Sequence, residues 1–252
     1  MKISDFDVVL FDLDGTVYYG SEIIPGANVT IQFFRQKGKK VYFTTNNSTR
    51  SRRQIFEKLL GMGIDCNYEE VITSGYLAAL YAKKHNLKNI YILGSVDLME
   101  EFSSMNVSVL QNENAENLLI GYNPNMSYND LTDALQVALH AHNIIACNKE
   151  RVFPGENKRI MPGCGAMTAP IEWCANRPCD IVVGKPDTMM VDLLCEVESK
   201  TPERFLVVGD TYESDCVMAS RAGCKSVLIS KYPNEYYDGE VVSSIKDVPS
   251  LF

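Results

Sequence analysis

Apolar residues recur along this chain in short unbroken runs, separated by longer stretches in which they fall every three or four positions. Val8–Phe11 is apolar throughout, the pattern of a strand covered on both faces in a parallel sheet. Pro25-Gly26 then opens a stretch with Ala27, Ile31 and Phe34 at helical spacing, closing at Gly38. Val41–Thr44 predicts the next strand. Ile55, Phe56, Leu59 and Leu60 mark one face of a helix ending near Gly61 or Gly63. A second block predicts strands at Asn89–Leu93, Val107–Leu110, Leu118–Gly121 and Ile144–Cys147. It also holds a helix over Val96–Met105 and one capped by Ser127 that carries Leu131, Leu135 and Leu139. A third block predicts strands at Ile181–Val183, Phe205–Val208 and Val227–Ile229, with helices at Met189–Glu198 and around Asp215–Ala222. This alternation predicts an α/β fold on mainly parallel sheets.

Composition narrows the class without naming a task. In 252 residues, 46% hydrophobic and 22% charged, there is ample material for a core without disulfides. Lys+Arg is 24 against Asp+Glu 32, a net charge of −8, which argues against nucleic acid or an anionic membrane as a general partner. The eight cysteines are scattered without a CxxC pair, so reduced thiols are expected rather than a zinc site. Residues 1–20 do not have the pattern of a signal peptide, and no apolar run approaches the roughly 20 residues of a membrane helix. The expected location is the cytoplasm.

The candidate chemistry begins where VVLF meets Asp12 and Asp14. One reading is an acidic hairpin, because Asp-Gly between apolar runs is a type I′ turn signal. Three distant segments favour another. VYFTTNNS ends in Thr45, Asn46, Asn47 and Ser48, DIVVGKPD ends in Gly184, Lys185 and Pro186, and FLVVGDTYESD ends in Gly209, Asp210 and Asp215. Open parallel sheets bind ligands outside the carboxyl ends of their strands. Four such strands would deliver Asp12, Asp14, Thr45, Asn46, Lys185 and Asp210 to one rim. Carboxylates converging there would raise one another's pKa unless a cation sat among them, and an all-oxygen set suits Mg²⁺. Hydroxyl, amide and ammonium donors beside it suit a phosphate dianion, with one Asp attacking phosphorus and the second serving as acid and base.

Together these segments resemble the motifs of the haloacid dehalogenase-like hydrolase superfamily, and more narrowly its NagD-like, p-nitrophenyl phosphatase branch. DLDGT (12–16), TNNS (45–48), GKP (184–186) and GDTYESD (209–215) carry the resemblance, with PGA at 25–27 and PGCGAM at 162–167. It implies a Rossmann-like parallel sheet core with an inserted α/β cap domain. The core would span 1–82 and 178–252 and the cap 83–177, closing over the rim and selecting the leaving group. Asp12 would be the nucleophile and Asp14 the acid and base. Thr45, the Asn46 backbone and Lys185 would hold the phosphoryl group. Asp12, the Asp14 carbonyl and Asp210 would hold Mg²⁺, and Asp215 would reach the metal's waters or orient Lys185, unless it is only a helix N-terminal acid. Asn47 and Ser48 would either meet substrate or cap the next helix.

The implied reaction is hydrolysis of a small phosphate monoester, such as a sugar phosphate or nucleoside monophosphate, with p-nitrophenyl phosphate as surrogate. A phosphotransferase or mutase using the same intermediate, or a non-catalytic phosphate-binding regulator, are the alternatives. Homo-oligomerisation through the cap is a further expectation. In the cap, Asn148-Lys149-Glu150 stands where relatives often show Asn-x-Asp. Lys149, Arg151, Lys158 and Arg159 either meet a second anionic group or form a solvated loop. Tyr18 and Tyr19 either line the mouth or pack, and His85, His140 and His142 read as helix-face or helix-end residues.

Overall fold

The computed structural model describes residues 1–154 and 159–252. In chain order its strands are β1 (Val8–Asp12), β2 (Tyr18–Tyr19), β3 (Glu22–Ile23), β4 (Lys40–Thr45), β5 (Val71–Thr73), β6 (Ile90–Leu93) and β7 (Asn117–Ile120). There follow β8 (Asn143–Ala146), β9 (Val152–Pro154), β10 (Ile160–Pro162), β11 (Ile181–Val182), β12 (Phe205–Gly209), β13 (Lys225–Ile229) and β14 (Glu240–Val242). The α-helices are α1 (Ala27–Gln36), α2 (Arg52–Gly61), α3 (Ser74–Lys84) and α4 (Val96–Ser104), then α5 (Tyr128–Ala138), α6 (Gly165–Ala175), α7 (Met189–Glu198) and α8 (Val217–Ala222). The chain divides into two compact units. The first comprises Met1–Thr45, Phe56–Ile72 and Lys185–Phe252, the second Asn46–Ile55 and Thr73–Gly184. The expected boundaries at 82/83 and 177/178 both lie inside the second unit by this division.

The first unit is built on a six-stranded sheet, ordered β14-β13-β12-β1-β4-β5. β1 lies at its centre, parallel to both neighbours, with Leu10 level with Val207 and with Tyr42. That placement explains the unbroken apolar run: Val8, Val9, Leu10 and Phe11 are all fully buried. Phe34 of α1 packs on Phe11 at 5.9 Å between ring centroids and on Phe6 at 6.0 Å, and Phe252 closes the cluster at 5.6 Å. β1 therefore does not form an acidic hairpin. The hairpin comes later, between β2 and β3.

The second unit carries a four-stranded parallel sheet, β11-β8-β7-β6. Its core joins Leu118, Ile120 and Ile144 to Ala134, Val137 and Ala138 of α5 and Ile171 of α6. Three expectations are corrected here. Val107–Leu110 is not a strand but a single bridge at Val109, because the Gln111 side chain replaces backbone pairing. Its Oε1 accepts from Ile92 N at 2.7 Å and its Nε2 donates to Ile92 O at 3.0 Å. The fully buried stripe of α5 is Ala134, Val137 and Ala138, with Leu131 and Leu135 half-buried against the same core, whereas Leu139 is 61% exposed. Leu60 of α2 is likewise exposed, and α2 is capped not by Asn47 or Ser48 but by Ser51. Ser51 Oγ accepts from Gln54 N, and Gln54 Oε1 from Ser51 N.

Candidate active site

Parallel register sets the core of the site. Phe11 is level with Val208 and Asp12 with Thr44, so Asp12, Thr45 and Asp210 leave the carboxyl ends of adjacent strands together. β11 is the exception to the four-strand expectation. It belongs to the four-stranded sheet and pairs with β8, so three strands, not four, form this rim, and Lys185 arrives from the segment beyond Gly184. Within the first unit its ammonium lies 2.5 Å from Asp12 Oδ1 and 2.7 Å from Asp215 Oδ1, with Thr44 O at 3.4 Å. Lys185 is 1% exposed, so these carboxylates, not water, satisfy its charge.

The acids outnumber that cation. Asp12, Asp210 and Asp215 each offer an oxygen within 4.8 Å of the others. Burial pushes Asp12 well above the usual carboxylate range, with Lys185 pulling against it and Asp215 and Asp210 adding to it. Burial, and then the Asp215 charge, push Asp210 up to about 7. Lys185 is held protonated by its two partners against its burial. This donor set fits a hard divalent cation: it is all carboxylate oxygen, crowded, and short of positive charge. Asp12 and Asp210 are the better-placed ligands, because both Asp215 oxygens already accept, from Lys185 and from Thr211 N at 3.2 Å.

Stability of the metal-free protein follows from the sign of these shifts. A carboxyl whose folded pKa is raised binds its proton more tightly in the folded state. Its contribution is complete below the ordinary value of about 4 and is lost as the pH rises through the folded value. The melting temperature of the metal-free protein is expected to fall by on the order of 5 °C between pH 5 and pH 8, and excess divalent cation to remove most of that fall. A thermal melt at each pH, with and without cation, checks it.

The turn after β1 supports Asp210. Gly15 has φ +97, and a Cβ there would meet the Asp210 carboxylate. Thr16 Oγ1 donates to Asp210 Oδ1 at 3.4 Å. Gly15→Ala is therefore expected to displace Asp210 and cut activity by at least about tenfold, with little loss of secondary structure by circular dichroism. Asp14 is exposed, and Tyr18 Oη donates to its Oδ2 at 3.3 Å. Tyr18 is buried with Lys58 Nζ 3.5 Å from its ring centroid, whereas Tyr19 is 57% exposed. Asp14 thus meets solvent on a side chain steadied from behind.

The remaining candidates belong to the second unit. Asn46 is buried, its carbonyl accepting from Ser74 Oγ and Asn148 Nδ2, both at 2.8 Å. Asn47 Oδ1 accepts from Thr49 N and Arg50 N, an Asx turn. Ser48 Oγ accepts from Tyr122 N at 2.9 Å. In the basic loop, Lys149 pairs with Glu172 at 2.8 Å, which favours the solvated reading for that residue, while Lys158 lies outside the described residues. His85 ends α3 and His140 follows α5, with Nε2 3.2 Å from Ala115 O. Thr16 was present in the DLDGT motif without a role; Ser74 had no local signal, and nothing near Asn148 pointed to its contact with Asn46, the two lying 28 and 102 residues from that partner.

All eight cysteines are free. Among the described residues, no helix is long and apolar enough to cross a membrane.

Comparison with known proteins agrees with this geometry. A haloacid dehalogenase-like hydrolase profile matches residues 9–108, and a HAD-hydrolase-like profile matches 182–232. The sugar-phosphatase AraL of Bacillus subtilis is 34% identical over 251 residues, covering 96% of this chain and 92% of that protein. Phosphoglycolate phosphatase 2 of Arabidopsis thaliana is 30% identical, covering 88% and 82%. Among solved structures, a p-nitrophenyl phosphatase from Archaeoglobus fulgidus superposes with a TM-score of 0.91 at 27% identity, over 98% of this chain and 100% of that one.

Proposed function

The chain belongs to the haloacid dehalogenase-like hydrolases and is a phosphatase, and we propose that it hydrolyses small phosphate monoesters through an aspartyl-phosphate formed on Asp12. The observation that carries this reading is the buried contact of Lys185 with Asp12 at 2.5 Å, beside Asp210 and Asp215. A structural ion pair needs one acid per base. Three clustered acids around one lysine cost stability unless a cation and an anionic substrate complete the set.

In the proposed reaction a carboxylate oxygen of Asp12 attacks phosphorus in line with the ester oxygen, forming one P–O bond as the other breaks. Asp14, exposed beside the strand end, gives its proton to the departing alkoxide. Water then attacks the phosphoryl group of the aspartyl-phosphate. Asp14 takes its proton, and inorganic phosphate leaves with the Asp12 carboxylate restored. Lys185 offsets charge on Asp12 and on the phosphoryl oxygens, and Asp215 holds Lys185 in place. Thr45 and the Asn46 backbone complete the phosphoryl contacts. Mg²⁺ held by Asp12, Asp210 and the Asp14 carbonyl would supply further neutralisation of charge on the transferred group.

Small phosphate esters are the substrate class this reading supports, and p-nitrophenyl phosphate is the surrogate; likeness to a sugar-phosphatase and a phosphoglycolate phosphatase favours sugar phosphates and short phosphorylated acids. Selection of the leaving group is assigned to the second unit. The free cysteines fit a reducing cytoplasm. Release of inorganic phosphate from a panel of phosphorylated metabolites, ranked by kcat/KM, tests the reading; no release from any of them with Mg²⁺ present would refute it.

A further inference from the structure

We propose that Asn148 is a positioning residue for the phosphoryl-binding peptide, acting through the backbone of Asn46; this rests on the proposed role of that backbone in holding the phosphoryl group. Asn46 O accepts from two buried side chains of the second unit, Ser74 Oγ and Asn148 Nδ2, each at 2.8 Å. Ser74 is fully buried and Asn148 is 2% exposed, so water does not compete for that carbonyl. These donors fix the plane of the Asn46–Asn47 peptide, and through the Asn46 backbone dihedrals they restrict the adjoining Thr45–Asn46 peptide that carries the Asn46 N–H. The Asn46 side chain lies against Gly184. A Cβ on Gly184 would lie 2.5 Å from Asn46 Oδ1 and would also strike Cys147 O. Asn46 is thus held at its carbonyl, with its side chain packed against Gly184.

Asn148 does a second thing with its other amide atom. Its Oδ1 accepts from Glu150 N at 3.1 Å and so fixes the start of the loop that leads into β9. The same loop is held from behind by the PGCGAM turn: Gly165 N donates to Glu150 O and Gly163 N to Arg151 O, both at 2.9 Å. A Cβ on Gly163 would meet the Glu150 carbonyl, which is why glycine stands there. One buried amide therefore ties the Asn46 peptide to a loop braced on its far side. Its two hydrogen bonds account for a polar side chain at this buried position.

The test uses two variants that remove the donors to Asn46 O by different means. Asn148→Asp keeps the acceptor for Glu150 N but sets an oxygen against Asn46 O. Ser74→Ala removes the other donor without a charge change and without touching the loop. Ser74→Ala is expected to melt near the wild type and Asn148→Asp, which buries a carboxylate against a carbonyl, below it. Competitive inhibition by inorganic phosphate should weaken by about tenfold or more in Asn148→Asp and about threefold or more in Ser74→Ala. The kcat/KM for p-nitrophenyl phosphate and for a simple alkyl phosphate should fall by one common factor in each variant, because the phosphoryl end is shared and the leaving groups are not. Unchanged phosphate inhibition in Ser74→Ala, or a loss confined to one of the two substrates, would overturn the assignment. If Asn148→Asp fails to fold, Ser74→Ala alone decides. A wild-type protein that neither releases nor binds phosphate overturns the proposed function instead, so the two failures are distinguishable.

Discussion

Asp12→Asn is expected to cut phosphate release by at least about a thousandfold while leaving the protein folded. The substitution keeps the volume of a side chain that is 7% exposed at the end of the central strand. An amide oxygen can still accept from Lys185, which retains Asp215 at 2.7 Å. What disappears is the nucleophile, because a neutral carboxamide does not displace an alkoxide from phosphorus. Removing one of three crowded carboxylates also relieves repulsion in the metal-free protein, since Asp215 and Asp210 both raise the proton affinity of Asp12. The melting temperature should therefore hold or rise. Phosphate release and thermal melts on matched preparations check both halves; wild-type-like release from the variant would refute the role of Asp12.

Removal of divalent cation is the second large effect. With excess EDTA, activity should drop by about a hundredfold or more and return on addition of Mg²⁺. Without the cation, the site holds Asp12, Asp210 and Asp215 against the single charge of Lys185, and an incoming phosphate dianion would add to the excess. Burial raises the proton affinity of Asp12, and burial with the Asp215 charge takes the pKa of Asp210 up to about 7. A cation restores both acids to their ionised forms. Full activity in EDTA would sink the metal assignment.

Much of this was legible in the sequence because two periodicities are local. Four apolar residues before Asp12 announced a strand buried on both faces, and the same pattern before Thr45 and Asp210 announced its neighbours. Parallel register then required those three residues to emerge together. Ile181–Val183 carried the same apolar signature, yet β11 pairs with β8, because periodicity reports burial and not which sheet supplies the neighbour. Lys185 still reached Asp12, since its motif encodes the chemistry and not the strand. Val107–Leu110 failed for a different reason: the Gln111 side chain made the ladder bonds expected of backbone. In α5 Leu131 and Leu135 do pack on the core, but the fully buried positions are the smaller Ala134, Val137 and Ala138, and Leu139 points outward. Ser74 left no mark, and Asn148 stood out only within its loop, because a hydrogen bond across 102 residues has no sequence period.

A phosphotransferase or mutase would share the Asp12 intermediate and differ only in its acceptor. Added alcohols that divert most of the phosphoryl group from free phosphate would favour that reading over hydrolysis. Neither outcome alters the first step, in which Asp12 forms the new bond.

That first step is tested most directly by the stereochemical course at phosphorus. A phosphate monoester made chiral with oxygen isotopes is hydrolysed and the configuration of the released phosphate determined. Two successive in-line displacements, by Asp12 and then by water, predict overall retention. Overall inversion would mean that water attacks the ester directly, and it would contradict the account whatever the accumulation of any intermediate.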